Sequence, residues 1–144
     1  MSAITIATWN VLHRVHAENW AEPVIAAHPD ERARVEAIAS SVERLLLVNH
    51  TVAAIGLQEV SGDQLAALRA RIADRATILA HSYRRVPRWK HPPSGTLRDR
   101  AEYLVVVARG PCELVLGETF AHDAGKGFLA TLLVESGVML VNTT

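Results

Sequence analysis

The sequence predicts an α/β protein in which two β-sheets face one another and helices cover the outside. Three observations carry that expectation. Residues 4–82 alternate strand-like and helix-like patterns, residues 102–143 hold four apolar runs divided by turn residues, and each helical stretch carries one apolar stripe that must be buried against a sheet.

Ile4, Ile6 and Thr8 alternate with Thr5, Ala7 and Trp9, the period of a strand, and Asn10 stands at its carboxyl end. Pro29-Asp30 opens a helix over roughly 30–48, in which Val35, Ile38, Val42, Leu45 and Leu46 form the stripe. Arg34, Glu36, Glu43 and Arg44 fall largely off that stripe. TVAAIGLQEV is short, apolar and β-branched at both ends, the composition of an interior strand ending in Gln58, Glu59 and Val60. Ser61 with Gln64 has the form of a capping box, and Leu65, Leu68 and Ile72 continue it as a helix with Arg69, Arg71 and Arg75 exposed. A strand from Thr77 to about His81 follows. Pro87 to Arg100, with Pro92, Pro93 and Gly95 inside it, reads as a loop. EYLVVVAR, CELVLGETF, FLATLLVE and GVMLVNT then read as successive strands, several joined as hairpins.

At 144 residues and 49% hydrophobic content the chain has the size and composition of one domain with a sizeable core. Fifteen Lys and Arg balance fifteen Asp and Glu, so whole-chain charge argues for neither a nucleic-acid nor a membrane partner. A single cysteine, Cys112, excludes an intramolecular disulfide, and its apolar surroundings suit a small buried residue in a reducing compartment. MSAITIATWN lacks the basic region and long apolar core of a secretory signal, and no apolar run approaches the roughly 20 residues that span a bilayer. A cytoplasmic protein without membrane insertion is expected.

Asn10 and Glu59 both stand where strands end, positions at which a rigid sheet aims side chains into one crevice. Glu59 is the kind of carboxylate that holds Mg²⁺ together with waters and a phosphate, and the Asn10 amide beside it offers both a donor and an acceptor. The alternative is local: Glu59 caps the helix starting near Ser61, and Asn10 closes a turn.

TWNV at Thr8–Val11, LQEV at Leu57–Val60, YLVVVARG at Tyr103–Gly110 and LVNT at Leu140–Thr143 resemble, in order and spacing, the first blocks of the endonuclease/exonuclease/phosphatase family. The resemblance implies a two-sheet αββα sandwich with one site at its end. It implies a Mg²⁺-dependent, nuclease-like phosphodiester hydrolase, with Mn²⁺ as the alternative metal, Glu59 as metal ligand and Asn10 helping to hold metal and scissile phosphate. Asn142 and Tyr103 fall in matching blocks and are further candidates for phosphate contact. Members of the same family include phosphatases and phospholipase-type enzymes, and a catalytically inactive binding remnant is the remaining alternative.

The family pattern continues with a His after the Asn-Thr pair, a GDxN block and a late Asp-His pair. Here Thr144 stands at the first of those positions and the others are absent, so residues 1–144 are expected to form a single partial domain, truncated before its second half. An open sheet edge, with YLVVVA and FLATLL exposed, would then favour self-association. Of seven histidines, His13 and His16 stand closest to Asn10; a metal or phosphate contact from one of them is the alternative to the preferred reading as solvated loop residues, since no carboxylate or Cys stands at ligand spacing with them. Between His81 and Arg100 six cations, Arg84, Arg85, Arg88, Lys90, Arg98 and Arg100, oppose only Asp99, a net +5 interleaved with Tyr83 and Trp89. Such a segment suits a phosphate backbone with unstacked bases, which makes Arg84, Arg85, Arg88 and Lys90 candidate substrate contacts and nucleic acid a candidate partner; an exposed loop with Trp89 packed on a sheet edge is the other reading.

Overall fold

The computed structural model describes residues 3–93 and 96–144, so Gly95 of the predicted loop lies outside the described residues. In chain order the elements are β1 (Ile6–Asn10), α1 (Arg14–Asn19), α2 (Val24–Ala27), α3 (Glu31–Glu43), β2 (Ala54–Ser61), α4 (Gly62–Ile72), β3 (Thr77–Ser82), β4 (Glu102–Ala108), β5 (Cys112–Phe120), β6 (Asp123–Leu133) and β7 (Val138–Thr143). A π-helical turn, Arg44–Val48, prolongs α3, so the helix expected over this stretch is present with a looser last turn.

One sheet has the order β1-β2-β4-β3, with β1 and β2 parallel and the rest antiparallel; the other is the antiparallel meander β5-β6-β7. The apolar run of β4 explains the layering. Val105 and Val107 enter a cluster with Ile38, Val42, Leu65 and Leu68 of the helices, while Leu104, Val106 and Ala108 enter another with Leu129 and Leu133 of β6. Side chains alternate across a strand, so a strand covered on both faces must be apolar at every position. Each such side chain contributes about 1.5–3 kcal/mol relative to exposure, which makes β4 the centre of the core.

Four expectations are corrected. The stretch after Asn10 is not a loop but the helices α1 and α2; α1 is capped by the His13 ring, which accepts from the Val15 N–H, rather than by the usual hydroxyl or carboxylate. The fourth-last run, β4, joins the first sheet instead of the hairpin series, because both of its faces are apolar. Ser61 caps α4 as expected, but the Gln64 side chain donates to the Val35 carbonyl instead of returning to Ser61, tying α4 to α3. Lastly, YLVVVA and FLATLL are largely buried between layers; on the outer sheet the exposed apolar residues include Leu114, Val115 and Leu116 of β5 and Met139 and Val141 of β7. Cys112 is buried as expected, and burial raises its thiol pKa. Among the described residues no helix is long and apolar enough to cross a membrane.

Candidate metal and phosphate site

Parallel pairing places Asn10 opposite Gln58, and the ladder between β2 and β4 slips between Leu57 and Val60. The slip is a bulge, and Glu59 sits in it with φ of +56°. A non-glycine residue in the left-handed region costs on the order of 1–2 kcal/mol, and bulges beside a site re-aim a side chain. The consequence here is direct. The Asn10 amide donates to one Glu59 carboxylate oxygen at 3.0 Å, and the His13 backbone N–H donates to the other at 3.2 Å. Asn10 Oδ1 in turn accepts from the Leu12 N–H at 2.9 Å, so the amide is oriented from both ends. Glu59 therefore does not cap α4; Ser61 does.

The corner between β1 and α1 is held from beneath. Leu12 also has a positive φ, +58°, and its carbonyl and that of Val11 accept from the Arg34 guanidinium at 2.8 Å each. Arg34 forms a bidentate pair with Glu31 at 2.8 and 2.9 Å, and Arg14, 1% exposed, reaches Glu31 at 3.5 Å, Glu18 at 3.0 Å and the His28 carbonyl at 2.9 Å. Arg34, read from the sequence as lying off the apolar stripe, is 9% exposed. The pairing of Glu31 with Arg34 three residues on, beside Val35, was the available signal.

His13 and His16 are not solvated loop residues. His13 is 1% exposed, accepts from Val15 through Nδ1 and donates from Nε2 to the Arg100 carbonyl at 3.0 Å, an arrangement that requires the neutral ring. Burial accordingly lowers its pKa. His16 meets the Glu102 carboxylate at 3.0 Å through Nε2, and that hydrogen bond raises its pKa, with the charges of Glu102 and Glu59 adding to the effect and Arg85 opposing it. Tyr83, Thr144 and the start of β6 close the same end of the sandwich: the Tyr83 hydroxyl lies 2.9 Å from Thr144 Oγ1, and the Arg85 N–H donates to the Ala124 carbonyl.

The other expected contacts are dispersed. Arg85 lies 3.6 Å from Asp123 and covers Gly125, where a β-carbon would collide with its guanidinium. Arg84 donates to the Phe120 carbonyl, Arg88 is exposed with its carbonyl bound by Asn19, and Lys90 stacks 4.7 Å above the exposed Trp20 ring. Thus Arg85 reaches the site end, whereas Arg88 and Lys90 are carried to the far end of α1. Tyr103 packs against the helix-side core. Asn142 cannot make the expected phosphate contact: it is 4% exposed, both of its amide hydrogens go to the Leu57 and Val105 carbonyls at 2.9 Å, and its oxygen accepts from Gln58 at 2.6 Å. It is a clamp between the sheets, set close because Gly56 leaves room for it.

A divalent metal fits the donor set in one respect. Each Glu59 oxygen holds one hydrogen bond and keeps a second lone pair, enough for an oxygen-preferring ion that retains its waters. Among the described residues no group of three His, Cys, Asp or Glu side chains is placed to enclose a metal.

No family model matches the chain, and no curated protein matches it. Solved structures do. Caenorhabditis elegans TDP2 is 15% identical with a TM-score of 0.53, covering 97% of this chain and 35% of its own. An endonuclease/exonuclease/phosphatase protein from Bacteroides vulgatus is 16% identical with a TM-score of 0.54, covering 94% and 50%. A mannosyl-6-phosphatase from Bacteroides thetaiotaomicron is 13% identical with a TM-score of 0.54, covering 96% and 49%. The chain spans between about a third and a half of the length of these structures.

Proposed function

On the premise that this chain has the endonuclease/exonuclease/phosphatase-type fold, we propose that it is the Asn10- and Glu59-bearing part of a Mg²⁺-dependent phosphodiester hydrolase of nuclease-like type, residues 1–144 forming a partial domain. The observation that carries this reading is the Asn10–Glu59 pair itself. Glu59 adopts an unfavourable backbone conformation in a bulge, and two donors, the Asn10 amide at the end of β1 and the His13 N–H at the cap of α1, fix its carboxylate. Strain of that kind persists where the surroundings over-determine it, and a site is the usual reason. Glu59 would hold the metal, with Mn²⁺ as a substitute; Asn10 keeps its carboxylate oriented, and the His13 N–H fixes the second oxygen. When bound, the metal would neutralise phosphate charge and activate water for in-line attack. A phosphodiester, nucleic acid among the candidates, is the substrate class, with Arg85 a cation at the same end of the sandwich. The single buried Cys112 supports a reducing, cytoplasmic setting.

The incomplete donor set favours a second reading, in which these residues alone bind metal or phosphate without turnover. Hydrolysis of bis-nitrophenyl phosphate and of single-stranded DNA with Mg²⁺, against Glu59→Ala, separates the two. Turnover above that variant supports the hydrolase reading; Mg²⁺ binding without turnover supports the second; neither activity nor binding overturns both.

A further inference from the structure

Resting on the reading of Asn10 and Glu59 as a metal and phosphate site, we propose that His16, anchored by Glu102, is a phosphate-binding residue of that same site. Glu102 begins β4, is 5% exposed, and has His16 as its ion-pair partner at 3.0 Å. A buried carboxylate is costly unless paired with a cation, so the pair is built around an imidazolium. Glu59 also draws on that charge, while Arg85 opposes it, and the His13 ring 5.4 Å away between centroids stays neutral.

The two neighbouring histidines are unlike in what they leave free. His13 uses both nitrogens inside the protein. His16 uses Nε2 alone; among the described residues its Nδ1 makes no hydrogen bond and no buried polar side-chain atom lacks a partner, and the side chain is 29% exposed, so Nδ1 faces solvent. Glu102 thus fixes the ring through one nitrogen and leaves a charged N–H donor on the other. A carboxylate behind an imidazole sets its orientation and the position of its proton. A charge-assisted N–H is the donor that a phosphate oxygen takes, and beside the Glu59 and Glu102 carboxylates an imidazolium joins Arg85 in offsetting their negative charge.

Imidazole ¹⁵N NMR of the full chain, titrated with inorganic phosphate with and without Mg²⁺, tests this. The His16 Nδ1 signal is expected to move saturably, His16→Gln to weaken phosphate binding about tenfold or more, and Glu102→Gln to weaken it less. If the Asn10 amide signals respond to Mg²⁺ and phosphate while His16 stays still, the proposal fails and the function reading stands. Should His16 move while Asn10 does not, the phosphate contact stands and the Asn10–Glu59 reading falls. Silence at both overturns both.

Discussion

Replacing Arg34 by Met should be among the most damaging single changes in this chain, and its cost can be worked from the contacts. The substitution keeps volume and removes four hydrogen bonds of 2.8–2.9 Å: two to Glu31 and one each to the Val11 and Leu12 carbonyls. Glu31, 3% exposed, is left with Arg14 at 3.5 Å. Removing one partner of a buried ion pair costs about 3–5 kcal/mol; the remaining Arg14 contact lowers that figure, and the two orphaned carbonyls, at roughly 1–3 kcal/mol each less what water recovers, raise it by a similar amount. A loss of about 3–5 kcal/mol is expected, a large part of the roughly 5–15 kcal/mol that holds a domain. Urea unfolding measures it. The companion variant Arg34→Met/Glu31→Met removes the charge as well, so its loss should fall to about 1–3 kcal/mol, giving a favourable coupling of at least roughly 1.5 kcal/mol. Mg²⁺ affinity should drop in both, because the Leu12 corner that aligns Asn10 and the His13 N–H has lost its support. A single-variant loss under about 1 kcal/mol, or a double variant as costly as the sum of its parts, would refute the account.

Glu59→Gly should be about 1 kcal/mol more stable than Glu59→Ala by thermal melting, since only glycine relieves the positive φ, and both should lose Mg²⁺ binding equally. Gly56→Ala places a methyl 3.2 Å from Asn142 Oδ1, and a loss of about 1–3 kcal/mol in chemical denaturation is expected as the inter-sheet clamp is displaced. Stability should peak between the two folded-state histidine values that bracket the ordinary 6.5: the raised His16 value makes its contribution complete below 6.5 and lost as pH rises through it, while the lowered His13 value costs nothing above 6.5 and progressively more as pH falls through it. Melting temperature against pH checks this, with His16→Gln flattening the alkaline side. Self-association is expected through β5 and β7; sedimentation velocity should show it weakened by Met139→Lys and Leu116→Lys, two exposed positions on the outer sheet.

Much of this was legible in the sequence because it is written in local periodicity. Strand and helix patterns placed β2, α3, α4, β3 and the final strands near their observed bounds, and the two polar residues closing apolar strands, Asn10 and Glu59, meet as side chains. What periodicity does not encode is contact at a distance. Thr144 beside Tyr83, Asn142 under Gly56 and His16 on Glu102 join residues 61 to 86 positions apart, and nothing in the local sequence of either partner announces the other. Nor does a pattern of apolar spacing reveal Arg34, a charge buried because its partner Glu31 and two carbonyls are already in place around it.

By itself, then, the sequence determined the layers and the placing of Asn10 and Glu59 at strand ends, because a strand or helix commits its side chains to faces through its own backbone period. Only the tertiary structure decided which residues those ends would meet. It turned Asn142 from a phosphate contact into a clamp, made His13 the cap and His16 a member of a helix, and pushed the Glu59 backbone into the left-handed region. Each of these depends on what packs opposite, and a bulge, a buried ion pair or a saturated amide exists only once the partner chain segment has arrived.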